Sequence, residues 1–163
     1  MKRLFICLFV LAWAGPLAAV DQVYKARGSE LALEGYDAVA YFDKKAVVID
    51  DDGVETTVVT EPGRAVPGLA RYGARWRGAV WYFSTRENYD IFMADARSYA
   101  PQYGGYCAYA VAKGGSARGD PEQWSVVDGR LYLNINREIK EKWLRDAPAY
   151  IEQADAWWPL LRD

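Results

Sequence analysis

The chain has 163 residues, of which 52% are apolar and 15% aromatic, with a net charge of −2. This length and composition are those of a globular domain with its own core, and they exclude a disordered or low-complexity chain. The mildly acidic balance argues against a nucleic-acid partner, which favours a basic surface.

Residues 1–19, MKRLFICLFVLAWAGPLAA, have the layout of a secretory signal peptide: two basic residues, an apolar run from Leu4 to Ala14, then Gly-Pro and small residues. The run is shorter than the roughly 20 residues that span a bilayer. We therefore predict cleavage after Ala19, loss of Cys7 with the leader, and a soluble periplasmic or secreted protein without a stable membrane anchor.

Residues 20–163 are predicted to form one domain, with a motif core at about 35–134 and C-terminal helices at 135–162. No internal repeat is apparent. Ala38 to Phe42 is a short apolar run after a glycine turn and predicts a buried strand. Two β-branched runs around Asp52-Gly53 predict a hairpin. The stretch LARYGARWRGAVWYFS predicts two or three short antiparallel strands with turns at Gly73 and Gly78.

Helices and a further hairpin follow in the second part of the chain. Ser84 and Glu87 have the spacing of a capping box, ahead of one apolar helix face: Tyr89, Phe92, Met93 and Ala96. WSVVDGRLYLN predicts a hairpin closed by Asp-Gly, which places Trp124 opposite Leu133. Asn134 or Asn136 is expected to cap the next helix. A last helix is predicted from about Asp146 to Pro159. The fold class is therefore α+β, with small antiparallel hairpins.

The absence of histidine removes the commonest general base and metal ligand, and no glycine-rich phosphate loop precedes a helix. Cys107, in YGGYCAYAV, is the one cysteine outside the predicted leader. A thiol acts as a nucleophile or soft-metal ligand when it is partly exposed near positive charge or oriented N–H groups. Gly104 and Gly105 could orient such groups, and Lys113, Arg118 or an arginine between Arg71 and Arg77 could supply charge.

Each of these residues also has a simpler, structural interpretation. A free cysteine often fills a core gap, and Met93 at core spacing is more often core than a copper ligand. Asp37 and Asp120 suit turn capping, although each could be an acid or a ligand. The tyrosines at 103, 106 and 109 could line a pocket with Trp124 or pack on a sheet.

Four stretches in sequence order resemble the exported bacterial YHS-domain proteins, often labelled YHS domain-containing (seleno)protein. They are GYDAVAYF, WYFSTRENYDIFMADARSYAPQYGGYCAYAVAKG, DPEQWSVVDGRLYLNIN and EKWLRDAPAYIEQADAWWP. The resemblance implies a treble-clef-like or metal-chaperone-like core, a hairpin followed by a helix, and metal binding through cysteine motifs. Some exported relatives carry selenocysteine at the position matching Cys107, which implies a chemical role for that position. The chain departs from the family pattern because it lacks the Tyr-His-Ser tripeptide and because Val47 to Thr60 is a longer segment.

Three hypotheses follow for the function. In the first, Cys107 is a reactive thiolate or soft-metal ligand in a pocket with Gly104, Gly105, Tyr106, Tyr109 and Trp124, and it exchanges with an external thiol or a redox or metal partner protein. In the second, the protein is a non-enzymatic carrier of a soft ion such as copper, held by Cys107 with Met93, backbone or a second chain. In the third, the domain is a structural or interaction module with a buried cysteine.

Overall fold

The computed structural model of the protein describes residues 21–49 and 51–162. The predicted leader, including Cys7, lies outside these residues. The described chain contains three two-stranded antiparallel sheets, β1-β2, β3-β4 and β5-β6. The strands are β1 Lys44–Ile49, β2 Glu55–Glu61, β3 Leu69–Trp76, β4 Ala79–Phe83, β5 Asp120–Val127 and β6 Arg130–Asn134. The helices are α1 Arg86–Ala94, α2 Ala96–Tyr99, α3 Ala108–Ala112, α4 Arg137–Leu144 and α5 Ala147–Arg162. The fold is α+β, as predicted.

The chain repeats a series of backbone features, although residues 38–42 form bends and turns where residues 108–112 form α3. A short 3-10 segment begins each copy, Ala32–Gly35 in the first and Gln102–Gly105 in the second. The two central residues of each segment are left-handed, with φ/ψ of 50/27 and 52/23 in the first and 52/33 and 61/15 in the second. A glycine with φ of 89° or 86° ends each segment. We refer to residues 32–94 as the N-terminal unit and residues 102–144 as the C-terminal unit.

The hairpins of the two units have the same register. In each hairpin a two-residue turn with both φ angles positive joins the strands, Arg77-Gly78 in the first and Asp128-Gly129 in the second, as the twist of a tight hairpin requires. Each first strand carries an irregularity at the same place, between Leu69 and Gly73 and between Asp120 and Trp124. A capped helix, α1 or α4, follows each hairpin. The prediction that the chain lacks an internal repeat was therefore wrong.

Few side chains are common to both units, which is why the repeat is not evident in the sequence. Glycine, tyrosine and alanine recur in EGYDA and GGYCA, at Gly35-Tyr36 and Gly105-Tyr106. Left-handed backbone and hairpin register are set by a few positions, while the others change freely. The β1-β2 hairpin also separates the matching parts of the N-terminal unit, whereas the short span 113–116 stands at that place in the C-terminal unit.

The structure confirms the two Asp-Gly hairpins. Strands β1 and β2 pair around Asp52-Gly53, and Trp124 lies opposite Leu133. The β1-β2 hairpin extends into solvent, with Val47, Ile49 and other apolar side chains about half exposed or more.

Three local predictions were wrong. Residues 38–42 form bends and turns rather than a strand, because the Asp37 carboxylate accepts hydrogen bonds from Val39 N and Ala40 N and curls the chain. Thr85, not Ser84, caps α1, accepting from Asn88 N at 3.0 Å. Pro159 lies inside α5 rather than ending it.

Helix α1 also ends earlier than its apolar spacing predicted. Asp95 accepts from Ser98 N and begins α2, so Ala96 belongs to another helix. Phe92 is fully buried, but Met93 is 49% exposed and is not part of the core. The capping of α4 follows one of the two predicted alternatives, because Asn136 Oδ1 accepts from Ile139 N.

Two apolar clusters hold the units together. The first surrounds Trp81, Phe83 and Phe92 of the N-terminal unit and includes Leu131 and Leu133 from β6. The second surrounds Tyr132 and Trp143 and takes its outer wall from α5. Because β6 contributes to both clusters, the two units share a continuous interior. None of the described helices is long and apolar enough to cross a membrane.

Candidate functional site

Cys107 stands at the junction between the second 3-10 segment and α3. Its N–H donates to Ala117 O at 2.9 Å, and its backbone pairs with Leu133 of β6. Left-handed Gly104 lies directly against the backbone of Gln22, where a β-carbon would come within 2.1 Å of the Gln22 oxygen. These contacts fix the path of the chain into Cys107. The residue is 1% exposed. The thiol is therefore buried, whereas a reactive site was expected to leave it partly exposed.

The polar neighbour of the thiol is Asn134, at the end of β6. Cys107 Sγ lies 3.7 Å from Asn134 Oδ1, within the range of a sulfur hydrogen bond, and Tyr109 N–H donates to the same oxygen at 3.4 Å. Asn134 is fully buried, and its Nδ2 group has no hydrogen-bond partner among the described residues. An unpaired buried amide costs about 1–3 kcal/mol. The site therefore holds an unused donor beside the thiol.

Asp37 occupies the matching position in the N-terminal unit. Its N–H donates to Val66 O at 2.8 Å, as Cys107 N–H does to Ala117 O. The Asp37 carboxylate is fully buried and is surrounded by donors. Oδ1 accepts from Val39 N at 2.9 Å and Ala40 N at 3.3 Å, and Oδ2 accepts from Ser84 N, Ser84 Oγ and Asn88 Nδ2, each at 2.7 Å.

The two positions differ in which side chain accepts the capping hydrogen bond. In the N-terminal unit Asp37 itself accepts from Val39 N. In the C-terminal unit the matching N–H, that of Tyr109, donates to Asn134 instead of to Cys107. Cys107, at the N-cap position of α3, therefore makes no side-chain capping hydrogen bond. A thiolate at this place would be a hydrogen-bond acceptor as Asp37 is, beside the Asn134 side chain to which the Tyr109 N–H donates.

The other predicted site residues do not line one pocket with Cys107. Gly104 borders a surface cleft, whereas Gly105 is buried against Pro101 and Leu133. Tyr106 packs edge-on against Tyr24, and burial raises its pKa. Neither Gly105 nor Tyr106 opens a path from the surface to the Cys107 sulfur.

Tyr109 and Trp124 lie in different surroundings. Tyr109 packs against Tyr150 and hydrogen-bonds Lys142, which raises the pKa of that lysine. Trp124 packs on Tyr41, at the edge of the first apolar cluster. The predicted pocket of tyrosines with Trp124 is therefore not formed.

The basic residues proposed to assist the thiol have other contacts. Lys113 Nζ donates to Gln153 and lies over the Tyr150 ring, and Arg118 pairs with Glu34 and Asp120. Asp120 also caps a turn by accepting from Glu122 N. What remains beside Cys107 is the amide of Asn134 and the first turn of α3.

The soft-metal hypothesis gains no second ligand from the geometry. Met93 projects from α1, which packs on the β3-β4 hairpin of the other unit. Among residues 21–49 and 51–162, no group of three or more Asp, Glu, Cys or His side chains lies close enough to hold a metal ion. Binding of a soft ion stays a prediction that would need a ligand from elsewhere.

Sequence reasoning missed the role of Asn134, which it considered only as a helix cap. The turn-capping role predicted for Asp37 is confirmed, but not its burial among donors. Aligning EGYDA with GGYCA would have matched Asp37 to Cys107 and drawn attention to the donors that surround such a position.

Comparison of the chain with known protein families, with curated proteins and with solved structures finds no match. The YHS-domain resemblance is therefore a proposal that rests on its quoted motifs.

Proposed function

We propose that the protein is an exported YHS-like domain whose Cys107 is a redox thiol, oxidised by a small hydroperoxide and reduced by an external thiol. The thiolate attacks the peroxide, forming a sulfur–oxygen bond and breaking the oxygen–oxygen bond: RS⁻ + H₂O₂ gives RSO⁻ + H₂O. A first external thiol converts the protonated product, RSOH, to a mixed disulfide and water. A second external thiol then releases RSH and an external disulfide.

The observation that carries the proposal is the correspondence between Cys107 and Asp37. The matching slot of the N-terminal unit holds a carboxyl group that accepts hydrogen bonds from the turn after Asp37, from Ser84 at the end of the β3-β4 hairpin and from Asn88 in α1. The C-terminal slot keeps the capping N–H of Tyr109 and has the unpaired Nδ2 of Asn134 beside it. Rotation of the Asn134 amide would let Nδ2 donate to an anionic sulfur, as Asn88 Nδ2 donates to Asp37.

Burial determines how the thiol would react. At 1% exposure the sulfur is reached only when the fold opens locally. The loop 113–119 is tied to this residue, because Ala117 O accepts from the Cys107 N–H, and Gly114 in the same loop is left-handed. A brief opening admits a molecule the size of hydrogen peroxide more easily than a protein disulfide. Peroxide is therefore the oxidant that this geometry favours.

The experiment is to treat the folded protein, lacking Cys7, with equimolar hydrogen peroxide and trap sulfenic acid with dimedone, read by mass spectrometry. We expect one adduct on Cys107, none in Cys107→Ser, and formation about tenfold slower in Asn134→Leu. Leucine suits this position because its counterpart in the strand register, Phe83, is apolar. Asn136→Ser, which keeps a capping side chain, is the matched control and should react like wild type.

A folded protein that gives no adduct, while the unfolded protein does, would contradict the redox function. That result would favour the third hypothesis, a structural or interaction module with a buried cysteine, which the 1% exposure of Cys107 supports. Equal rates in wild type and Asn134→Leu would remove the role of the amide.

Export is part of the proposal and has its own test. Residues 1–19 carry the predicted leader, and the redox step needs an extracytoplasmic peroxide and thiol. Expression in a Gram-negative host followed by N-terminal sequencing should find a periplasmic chain that begins at Val20. Recovery of the chain from the cytoplasm with Met1 intact would contradict export.

A further inference from the structure

A surface cleft of about 260 Å³ lies apart from the thiol, between the turn of the β3-β4 hairpin, α2, the second 3-10 segment and the end of α5. These elements come from both units and from the C-terminal helix, so the cleft exists only in the assembled fold. Ala100, Pro101 and Tyr103 form buried parts of its wall.

The charge of the cleft is opposite to that of the chain. Three arginines border it, Arg77, Arg97 and Arg162, whereas Asp155 is the single acidic side chain among its described lining residues. The Asp155 carboxylate already accepts from Tyr103 OH at 2.8 Å. In a chain of net charge −2, such a concentration of guanidinium groups favours an anion at this place.

Arg97 is the clearest candidate for contact with that anion. It extends from α2 and is exposed, and its guanidinium interacts electrostatically with the nearby Asp95 carboxylate but makes no direct hydrogen bond or ion pair with a residue that the structure describes. Arg77 lies 4.6 Å from the centroid of the Trp76 ring, and this cation–π contact orients its guanidinium at the edge of the cleft. Guanidinium groups bind carboxylate and phosphate through paired N–H donors.

Aromatic rings complete the wall. Trp76 and Trp158 border the cleft with partly exposed rings, whereas Trp81, which also lines it, is only 1% exposed. Trp81 Nε1 donates to Trp76 O at 3.0 Å, and Trp158 packs edge-on against Tyr103. These contacts hold the rings in place before any ligand arrives, which lowers the entropic cost of binding.

We propose that this cleft binds a small aromatic oxyanion, with its carboxylate or phosphate against Arg77 and Arg97 and its ring against Trp76 and Trp158. The inference is independent of the redox function, since no atom of Cys107 borders the cleft. The rings and the charges together set the class of ligand: an inorganic anion would use only the arginines, and a neutral aromatic only the rings.

The test is titration of the folded protein with phenyl phosphate, benzoate, inorganic phosphate and phenol, by isothermal calorimetry and tryptophan fluorescence. We expect saturable binding of phenyl phosphate or benzoate, at least tenfold weaker binding of inorganic phosphate and phenol, and tenfold weakening in Arg97→Gln and Arg77→Gln. Whichever oxyanion binds more tightly identifies the acidic group. The matched control is Arg137→Gln, an exposed arginine on α4 paired with Glu141, which should stay within twofold of wild type.

No saturable binding of either aromatic oxyanion would overturn the proposal, and so would equal weakening in Arg137→Gln. Cys107→Ser should bind as wild type does, so that failure of the thiol function and failure of the cleft can be told apart.

Discussion

At the level of single residues, one backbone position is filled by an acid in one unit and by a thiol in the other. The Asp37 carboxylate accepts the hydrogen bond from Val39 N itself. At the Cys107 position the matching N–H, that of Tyr109, donates to Asn134 Oδ1 instead. A sulfur atom is a weak acceptor until it is ionised. The same slot therefore holds a capping side chain in one unit and, in the function that we propose, a reactive thiol in the other.

Replacing Cys107 with aspartate tests the equivalence of the two positions. Because the slot in the N-terminal unit stabilises a carboxylate, we expect Cys107→Asp to fold and to lose no more than about 2 kcal/mol of unfolding free energy at neutral pH. Val111→Asp is the control, since Val111 is fully buried in the second apolar cluster. It should lose about 4 kcal/mol or more, or fail to fold. Equal losses in urea denaturation would contradict the equivalence.

Replacing Asp37 with asparagine tests the anion in the first slot. The change keeps the shape but turns one acceptor into a donor that faces Ser84 N and Asn88 Nδ2. At least two donors lose their partner at about 1–3 kcal/mol each, so we expect a loss of about 3 kcal/mol. Asp90→Asn, at an exposed pair with Arg86, should leave the denaturation midpoint nearly unchanged. A neutral effect of Asp37→Asn would show that the carboxylate is dispensable.

At the level of elements, the β1-β2 hairpin is an addition to the N-terminal unit that has no counterpart in the C-terminal unit. The C-terminal unit passes from α3 to its own hairpin through the short loop 113–119, without an added hairpin. The hairpin is exposed on both faces, and Gly63 N donates to Asp43 Oδ1 at 2.8 Å, so its two ends lie close together.

Deleting the hairpin should therefore leave the fold intact. We expect a chain with residues 44–61 replaced by Gly-Gly-Ser to unfold cooperatively, with a change of less than about 1 kcal/mol, because little core area is lost. Circular dichroism with thermal and urea unfolding measures this. Replacement of residues 121–133 by the same linker removes Leu131 and Leu133 from the core and should abolish folding. A collapsed or aggregated hairpin deletion would contradict the additive role of β1 and β2.

Sequence patterns predicted the elements where local chemistry decides the outcome. The Asp-Gly turn fixes the register of β5 and β6 and hence the Trp124–Leu133 pair. Patterns failed where a distant side chain decides. Ser84 has the spacing of a cap, but its hydroxyl donates to Asp37 from across the fold. Pro159 lies within α5, and Leu161 in the last turn of that helix is buried in the second apolar cluster with side chains from earlier in the chain.

The candidate site was predictable only in part, for the same reason. The glycines before Cys107 indicate the turn, and their left-handed backbone is confirmed. Burial of the sulfur depends on Leu133 and Asn134, which come from a strand later in the chain, so the sequence near Cys107 could not reveal it. The arginines of the cleft likewise come from three separate elements.

At the level of the whole molecule, the two units and α5 form one interior in which several tyrosines are buried. Burial raises the pKa of Tyr41, Tyr103, Tyr106 and Tyr132 above the ordinary value of 10.0. The folded state therefore keeps these protons at pH values where the unfolded chain releases them. Their contribution to stability is complete below pH 10 and falls as the pH rises above it.

Alkaline unfolding tests this shared interior. We expect the unfolding free energy to fall above pH 10 by at most about 1.4 kcal/mol per pH unit for each such tyrosine. Urea denaturation at several alkaline pH values, with tyrosinate absorbance as a second probe, measures it. Tyr41→Phe should reduce the slope, whereas Tyr82→Phe, at a half-buried position, should not. A slope that is the same in both variants and in wild type would contradict the burial argument.

The most direct test of the central claim is the rate at which iodoacetamide labels Cys107 in the folded protein lacking Cys7, measured at urea concentrations below the unfolding transition. Reaction through a local opening predicts a rate at least tenfold above that allowed by global unfolding and nearly independent of urea. A labelling rate that follows the global unfolding free energy at every urea concentration would contradict the account and leave Cys107 as a structural residue.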